Sequence, residues 1–367
     1  MRDICDSPMP VYSDNYATRP CATPKHTHCN PDVQGQVGTG RGLVPHRFHG
    51  ALYSKSQSKS SALLWAAKHG QEATAQKSLE AGADIQVTAK DDQTPLLLAA
   101  KHGNEAMVKL LLEKGGAPDC KDSGGRTPLS WAARKGHNEI VELLLGKDGT
   151  DPNSEDNQGW TPLWWAAMRG HKAVIETLLT KSNANVELNV NDWTVLSWAA
   201  GRGHREIVTV LLRKDGIDPN SKDTRYDRTP LSWAAGNGYK EIVELLLGKD
   251  GADPNSKDNQ DRTALSWAAG NGHKEIVELL LRKNGVDLNS KDNQGWTPLS
   301  WAVRKGHNEI VSSLLGGSGV NPNSEDAQGR MPLRWAEVRG HKAIVEVLRL
   351  RGNANAESDA DGRTLLS

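Results

Sequence analysis

The chain lacks a net charge. Lys plus Arg and Asp plus Glu number 45 each in 367 residues, which argues against a partner chosen by bulk charge, such as nucleic acid or an anionic membrane surface. Long apolar runs are missing too. Stretches such as Ile140 to Leu145 fall far short of a membrane span, and the N-terminus has no apolar core of a signal peptide. Cysteine is scarce: Cys5, Cys21 and Cys29 lie near the N-terminus and Cys120 stands alone further on, which provides no disulfide framework. These absences predict an intracellular, cytoplasmic protein in a reducing compartment, with the nucleus also open to it. Residues 1–58 are poor in branched apolar side chains, rich in Pro, Ser, Thr, Gly and Asn, and without helical or strand periodicity. The expectation for them is a disordered tail.

What the chain does have is repetition. The heptapeptide Thr127-Pro128-Leu129-Ser130-Trp131-Ala132-Ala133 returns every 33 to 35 residues, at Thr161, Thr194, Thr229, Thr263 and Thr297. Looser copies start at Ser61, Thr94 and Met331, and a clipped one begins at Thr364. This organises residues 59–367 as nine full units plus a truncated tenth. The break within the first helical turn of that tenth unit suggests a fragment, a truncated reading frame, or a terminus covered by a partner.

One cycle shows how a unit is built. Thr127 suits an N-cap, Pro128 the first helical position where no N–H is needed, and Gly136 the left-handed residue that closes a helix. A second helix follows in Asn138 to Leu145, with apolar residues at i, i+3 and i+4 and with Glu139 and Glu142 on the wet side. Asp151 to Gly159 then packs turn formers, as a projecting hairpin-like loop requires. A lone pair of short helices cannot bury its apolar face, so each unit depends on its neighbours. The polar second helix Gln71 to Leu79 reads as a solvent-facing cap on the first unit.

This motif, the Gly-His between helices and the Ile-Val-x-x-Leu-Leu second helix resemble the ankyrin repeat, from about residue 60 to the end. The resemblance implies an all-α repeat solenoid of helix-turn-helix units with projecting β-hairpin loops, whose hairpin tips and first helices form a concave groove that binds other proteins. Two departures stand out. Ser130, Ser197, Ser232, Ser266 and Ser300 replace the histidine of the family's Thr-Pro-Leu-His, so the side-chain hydrogen bond that ties the loop must be made differently. Most units also carry one extra residue, as in Gly248 to Asn255. The Trp-Ala-Ala wording is similar to the sensor arrays of fungal NACHT-type receptors, although no nucleotide-binding domain is present.

Catalytic and cofactor readings find no constellation. His137, His171, His204, His273, His307 and His341 each follow the inter-helix Gly, one unit apart, which marks structural hydrogen bonding rather than a nucleophile or metal site. Cys21, His26, His28 and Cys29 carry ligand-type side chains at a spacing that fits no zinc module. Gly35, Gly38, Gly40 and Gly42 are followed by no Gly-Lys-Ser/Thr. The loop aspartates, a conceivable calcium set, sit in repeated turns where Asp bends the backbone. The expectation is therefore no enzyme, no cofactor and no metal.

Trp65, Trp131, Trp165, Trp198, Trp233, Trp267, Trp301 and Trp335 share one first-helix position, which favours packing between units. Trp160, Trp193 and Trp296 instead precede the motif threonine, where other units have Gln93, Arg126, Arg228, Arg262 and Arg330. The residues after Ala-Ala also vary, with Arg134, Lys135, Arg169, Arg202, Arg304 and Lys305 among them. Trp and Arg dominate binding hot spots. These residues predict a surface of exposed Trp with Arg and Lys that binds an acidic or mixed-charge segment of another protein, on a monomer. Two alternatives are single-stranded nucleic-acid binding by the same basic and aromatic residues, disfavoured by zero net charge and abundant loop Asp, and the sensor fragment of a larger receptor that has lost its effector domain.

Overall fold

The computed structural model describes residues 47–352, and the expectations for residues 1–46 and for the truncated tenth unit lie outside them. Helices come in pairs: α1 (Arg47–His69) with α2 (Glu72–Glu80), α3 (Pro95–His102) with α4 (Glu105–Glu113), α5 (Pro128–Lys135) with α6 (Asn138–Leu145), and α7 (Pro162–Arg169) with α8 (Lys172–Lys181). Then follow α9 (Val195–Arg202) with α10 (Arg205–Arg213), α11 (Pro230–Gly236) with α12 (Lys240–Leu247), α13 (Ala264–Asn271) with α14 (Lys274–Arg282), α15 (Pro298–Lys305) with α16 (Asn308–Gly316), and α17 (Pro332–Arg339) with α18 (Lys342–Gly352). From α3 onward each first helix packs on its own second helix, and α3 to α15 each pack on the first helix of the next unit, the arrangement of a helical repeat solenoid. Helix α1 begins at Arg47 and so extends into the segment expected to form the tail. No described helix is long and apolar enough to cross a membrane.

The local chemistry follows the residues. The threonine hydroxyl at the start of α3, α5, α7, α9, α11, α13 and α15 accepts the backbone N–H three residues on, at 3.0–3.4 Å. Such a cap contributes about 1 kcal/mol. In α17 Met331 takes this place and supplies no side-chain cap. Gly136 closes α5 at φ +81°, and a Cβ there would lie 2.6 Å from Nδ1 of His171. Glycine is thus required twice over, for the left-handed turn and for the space that the next unit's imidazole fills. The histidines play the structural part expected of them: Nε2 of His171, His273 and His307 meets the carbonyl of Arg134, Gly236 and Gly270, at 3.0–3.1 Å.

The core lies between helix layers. Ala132 and Ala133 are fully buried, and their lack of bulk lets consecutive first helices approach closely. Ile140, Val141 and Leu144 fill the space behind them. Among the first helices from α3 to α17, the approach of α7 to α9 is the loosest. There the 1% exposed Trp164, whose indole donates to the Leu188 carbonyl at 3.2 Å, occupies the position that is Ser130 in the preceding unit. The polar α2 buries only Ala75 and Ser78, as a solvent-facing end should.

The loops project as tight turns rather than as stranded hairpins. Five residues such as Asp122 to Arg126 close on two backbone bonds, Asp122 N–H to the Arg126 carbonyl at 3.0 Å and Gly125 N–H to the Asp122 carbonyl at 2.8 Å, which leaves too few residues for a ladder. A further backbone bond joins most tips to the preceding one, as from Asn157 to Gly124 and from Asn293 to Gln260, both at 3.0 Å. Among the described residues the β pairing is one isolated bridge, Val190 with Trp193.

Candidate partner-binding face

An aspartate at the base of each regular loop organises the face that loops and first helices share. Asp122 accepts the N–H groups of Gly124 and Arg126 on Oδ1, both at 2.9 Å, and the Trp131 indole N–H on Oδ2 at 2.8 Å. Asp156, Asp223, Asp258, Asp292 and Asp326 repeat the arrangement with Trp165, Trp233, Trp267, Trp301 and Trp335, at 2.9–3.1 Å. Burial raises the affinity of the Asp326 carboxyl for a proton, but bonds from the Arg330 and Gln328 backbone, the Trp335 indole and the Arg330 side chain outweigh it and hold the group at about 2. The indole–carboxylate bond replaces the loop tie for which the family uses histidine. Ser130 is left with its neighbour Thr127, hydroxyl to hydroxyl at 3.1 Å.

The slot before the motif threonine then becomes intelligible. Arg228 lies between rings, its guanidinium carbon 4.4 Å from the Trp233 centroid and 3.6 Å from that of Trp267, with Nε 3.5 Å from Asp258 of the next unit. Arg262 bridges Trp267 and Trp301 at 4.7 and 4.0 Å and reaches Asp292 at 3.7 Å. Arg126 does likewise with Trp131, Trp165 and Asp156, while Arg330 rests on Trp335 and pairs with Asp326 of its own loop at 3.0 Å. Arginine and tryptophan therefore alternate along the array, held by cation–π contact and by charge.

Tryptophan in that slot does the same packing without a charge. Trp160 stacks on Trp165 at 5.2 Å, Trp193 lies against Trp233 at 4.4 Å, and Trp296 meets Trp301 at 4.7 Å and Trp335 at 5.6 Å. Their exposures are 5, 8 and 5%. The expectation that these three rings are exposed for contact is thus corrected: a flat ring fits between neighbouring rings as a guanidinium does, and filling that space removes it from solvent. Arg262 is also buried. The rings at the shared first-helix position pack between units as expected, with Trp131, Trp165, Trp198, Trp233, Trp267 and Trp301 at 3–7% exposure.

The positions after Ala-Ala remain nearest to solvent. Lys135, Arg169 and Lys305 are exposed, whereas Arg134, Arg202 and Arg304 are half-buried, as are Arg126, Arg228 and Arg330 of the other slot. Arg134 lies over the Trp165 ring at 4.4 Å and Arg304 over Trp296 at 4.3 Å, so each presents an edge rather than a whole side chain. Lys101, 4.4 Å from the Trp131 centroid, has its pKa lowered by burial; Asp122 opposes this, and Lys135, Arg126 and Arg134 reinforce it.

The loop aspartates were missed as site organisers by the sequence reading, although a signal existed. Asp stands nine residues before Trp in five of these pairs, and the second unit, which has Leu98 for Trp, has Ala89 for Asp.

A family model of ankyrin repeats (three copies) matches residues 63–156, 148–223 and 231–326. No curated protein matches the chain.

Proposed function

Since the chain belongs to the ankyrin-repeat family, whose repeats generally mediate protein–protein interaction, we propose that it is a non-enzymatic scaffold gripping an acidic or mixed-charge segment of another protein. One observation supports the reading: Lys135, Arg169 and Lys305 are exposed and Arg126, Arg134, Arg202, Arg228, Arg304 and Arg330 half-buried, so that every unit from the third to the ninth except the seventh, whose Arg262 is buried, carries an accessible cation at these repeat positions. The buried ladder of rings and carboxylates beneath holds Arg126, Arg134, Arg228, Arg304 and Arg330 in place, which limits the side-chain entropy that they lose on binding. Trp160, Trp193 and Trp296 support this surface from below. Single-stranded nucleic acid, which requires open aromatic platforms, is disfavoured by the same burial.

The test is charge reversal of exposed positions. Lys135→Glu, Arg169→Glu and Lys305→Glu together, in a protein whose circular dichroism is unchanged, should weaken a captured partner at least tenfold, about 1.4 kcal/mol. The wild-type affinity should fall as salt rises. Undiminished binding by the folded triple variant refutes this face as the binding surface.

A further inference from the structure

We propose that the acidic segment is anchored at the N-terminal end of this face, an apolar side chain of the partner resting on Trp65 while its carboxylates pair with Lys68, Lys101, His102 and Lys135; this subsite rests on the protein-binding reading above. Trp65 is 53% exposed, whereas its six counterparts from Trp131 to Trp301 lie at 3–7%. The reason is structural. No loop aspartate precedes Trp65, because α1 runs continuously through the residues where other units have their loop. Its ring stacks on His69 at 4.6 Å, and in the next unit Leu98 stands where a ring would continue the ladder. A singly exposed apolar side chain is ordinary; the charge around this one is not.

Lys68 and His69 follow Trp65 by three and four residues, which places them beside it on α1. Lys101, His102 and Lys135 come from the equivalent helix ends of the next two units. They act on one another: His102 has its pKa lowered by burial and then by Lys101, Lys68, His69 and Lys135. On Lys101 the carboxylate of Asp122 opposes Lys135, Arg126 and Arg134, and that carboxylate is already engaged by Gly124, Arg126 and Trp131. Cations thus outnumber carboxylates among the charges that act on Lys101, and those acting on His102 are all cationic, at the helix ends that begin with the one after the open Trp65 indole. In the sixth and seventh units the corresponding positions are Gly236, Asn237, Gly270 and Asn271, so no comparable charge accumulates there. A peptide with both carboxylates and an apolar anchor complements this end; a purely acidic one matches only half of it.

Two fluorescein-labelled dodecapeptides of Glu and Asp, one with a central Leu-Leu pair and one with Ser-Ser, test the subsite by anisotropy against the full chain. The expected result is at least fivefold tighter binding of the leucine peptide. Trp65→Ala should abolish that preference without weakening the serine peptide. Lys68→Glu with Lys135→Glu should weaken both peptides at least tenfold, while Lys109→Glu with Lys240→Glu on the second helices should leave both unchanged. Retention of the leucine preference by Trp65→Ala overturns the anchor. Loss confined to Lys305→Glu with Arg339→Glu moves the site to the other end, overturning this inference but not the protein-binding reading. Absence of binding by the wild type to either peptide sinks the subsite together with the acidic character of the partner.

Discussion

Asp119 occupies a position that asparagine fills in other loops, and replacing it with asparagine should stabilise the protein. Asn153, Asn220, Asn255 and Asn289 each donate Nδ2 to a carbonyl of the following loop at 2.6–3.2 Å and accept a backbone N–H from it on Oδ1 at 2.7–2.8 Å. Asp119 receives the N–H of Asp151 but has nothing to donate, and its buried Oδ1 has no partner. Burial pushes its carboxyl above the usual range, partly offset by the Asp151 N–H and reinforced by the Asp151 charge. In the asparagine series the carbonyl acceptor usually lies thirty residues on, as Gly285 does from Asn255; for position 119 that is Gly149. Asp119→Asn therefore adds one hydrogen bond and relieves an unpaired oxygen, together about 1–2 kcal/mol.

Urea unfolding followed by circular dichroism, at neutral pH and near pH 3, measures the effect. A carboxyl whose folded pKa is raised costs nothing when protonated in both states, and its cost appears as pH rises through the unfolded and then the folded pKa. The gain from Asp119→Asn should thus be full at neutral pH and small near pH 3, where a protonated Asp119 can itself donate. No gain at neutral pH, or an equal gain at both, would refute the reasoning.

Two further changes probe the architecture. Met331→Thr should restore the missing N-cap of α17 and raise stability by about 1 kcal/mol, measured as a higher urea midpoint with an unchanged slope. Asp258→Ala strips the acceptor from Gln260, Arg262 and Trp267 and leaves Arg228 facing no carboxylate from that loop; a loss of about 3 kcal/mol is expected, and a loss below about 1 kcal/mol would show that the indole–carboxylate bond is not what ties the loop.

Helix pairs, their caps and their order were legible because each depends on residues within a few positions of one another. Thr127 caps Ser130, Pro128 starts a helix, Gly136 ends one, and the alternation of such signals at a fixed period leaves no other fold that buries both helix faces. The histidines were legible for the same reason, since six occurrences in one phase announce one structural task. Trp160, Trp193 and Trp296 were misjudged because exposure is a property of the neighbours: Trp165 and Trp301 fold back over Trp160 and Trp296 from the helix that follows, and Trp233 and Trp335 cover Trp193 and Trp296 from the next unit.

Composition and periodicity alone determined that this chain is a stack of helical pairs supported by adjacent units, since local hydrogen bonding and the spacing of apolar residues act within one unit. Which side chains face solvent was decided only when units were placed against each other. The interdigitation of Arg228 and Arg262 with indoles, the burial of the loop aspartates and the isolation of Trp65 at the first unit all arise across interfaces, where a residue's surroundings are supplied by another part of the chain.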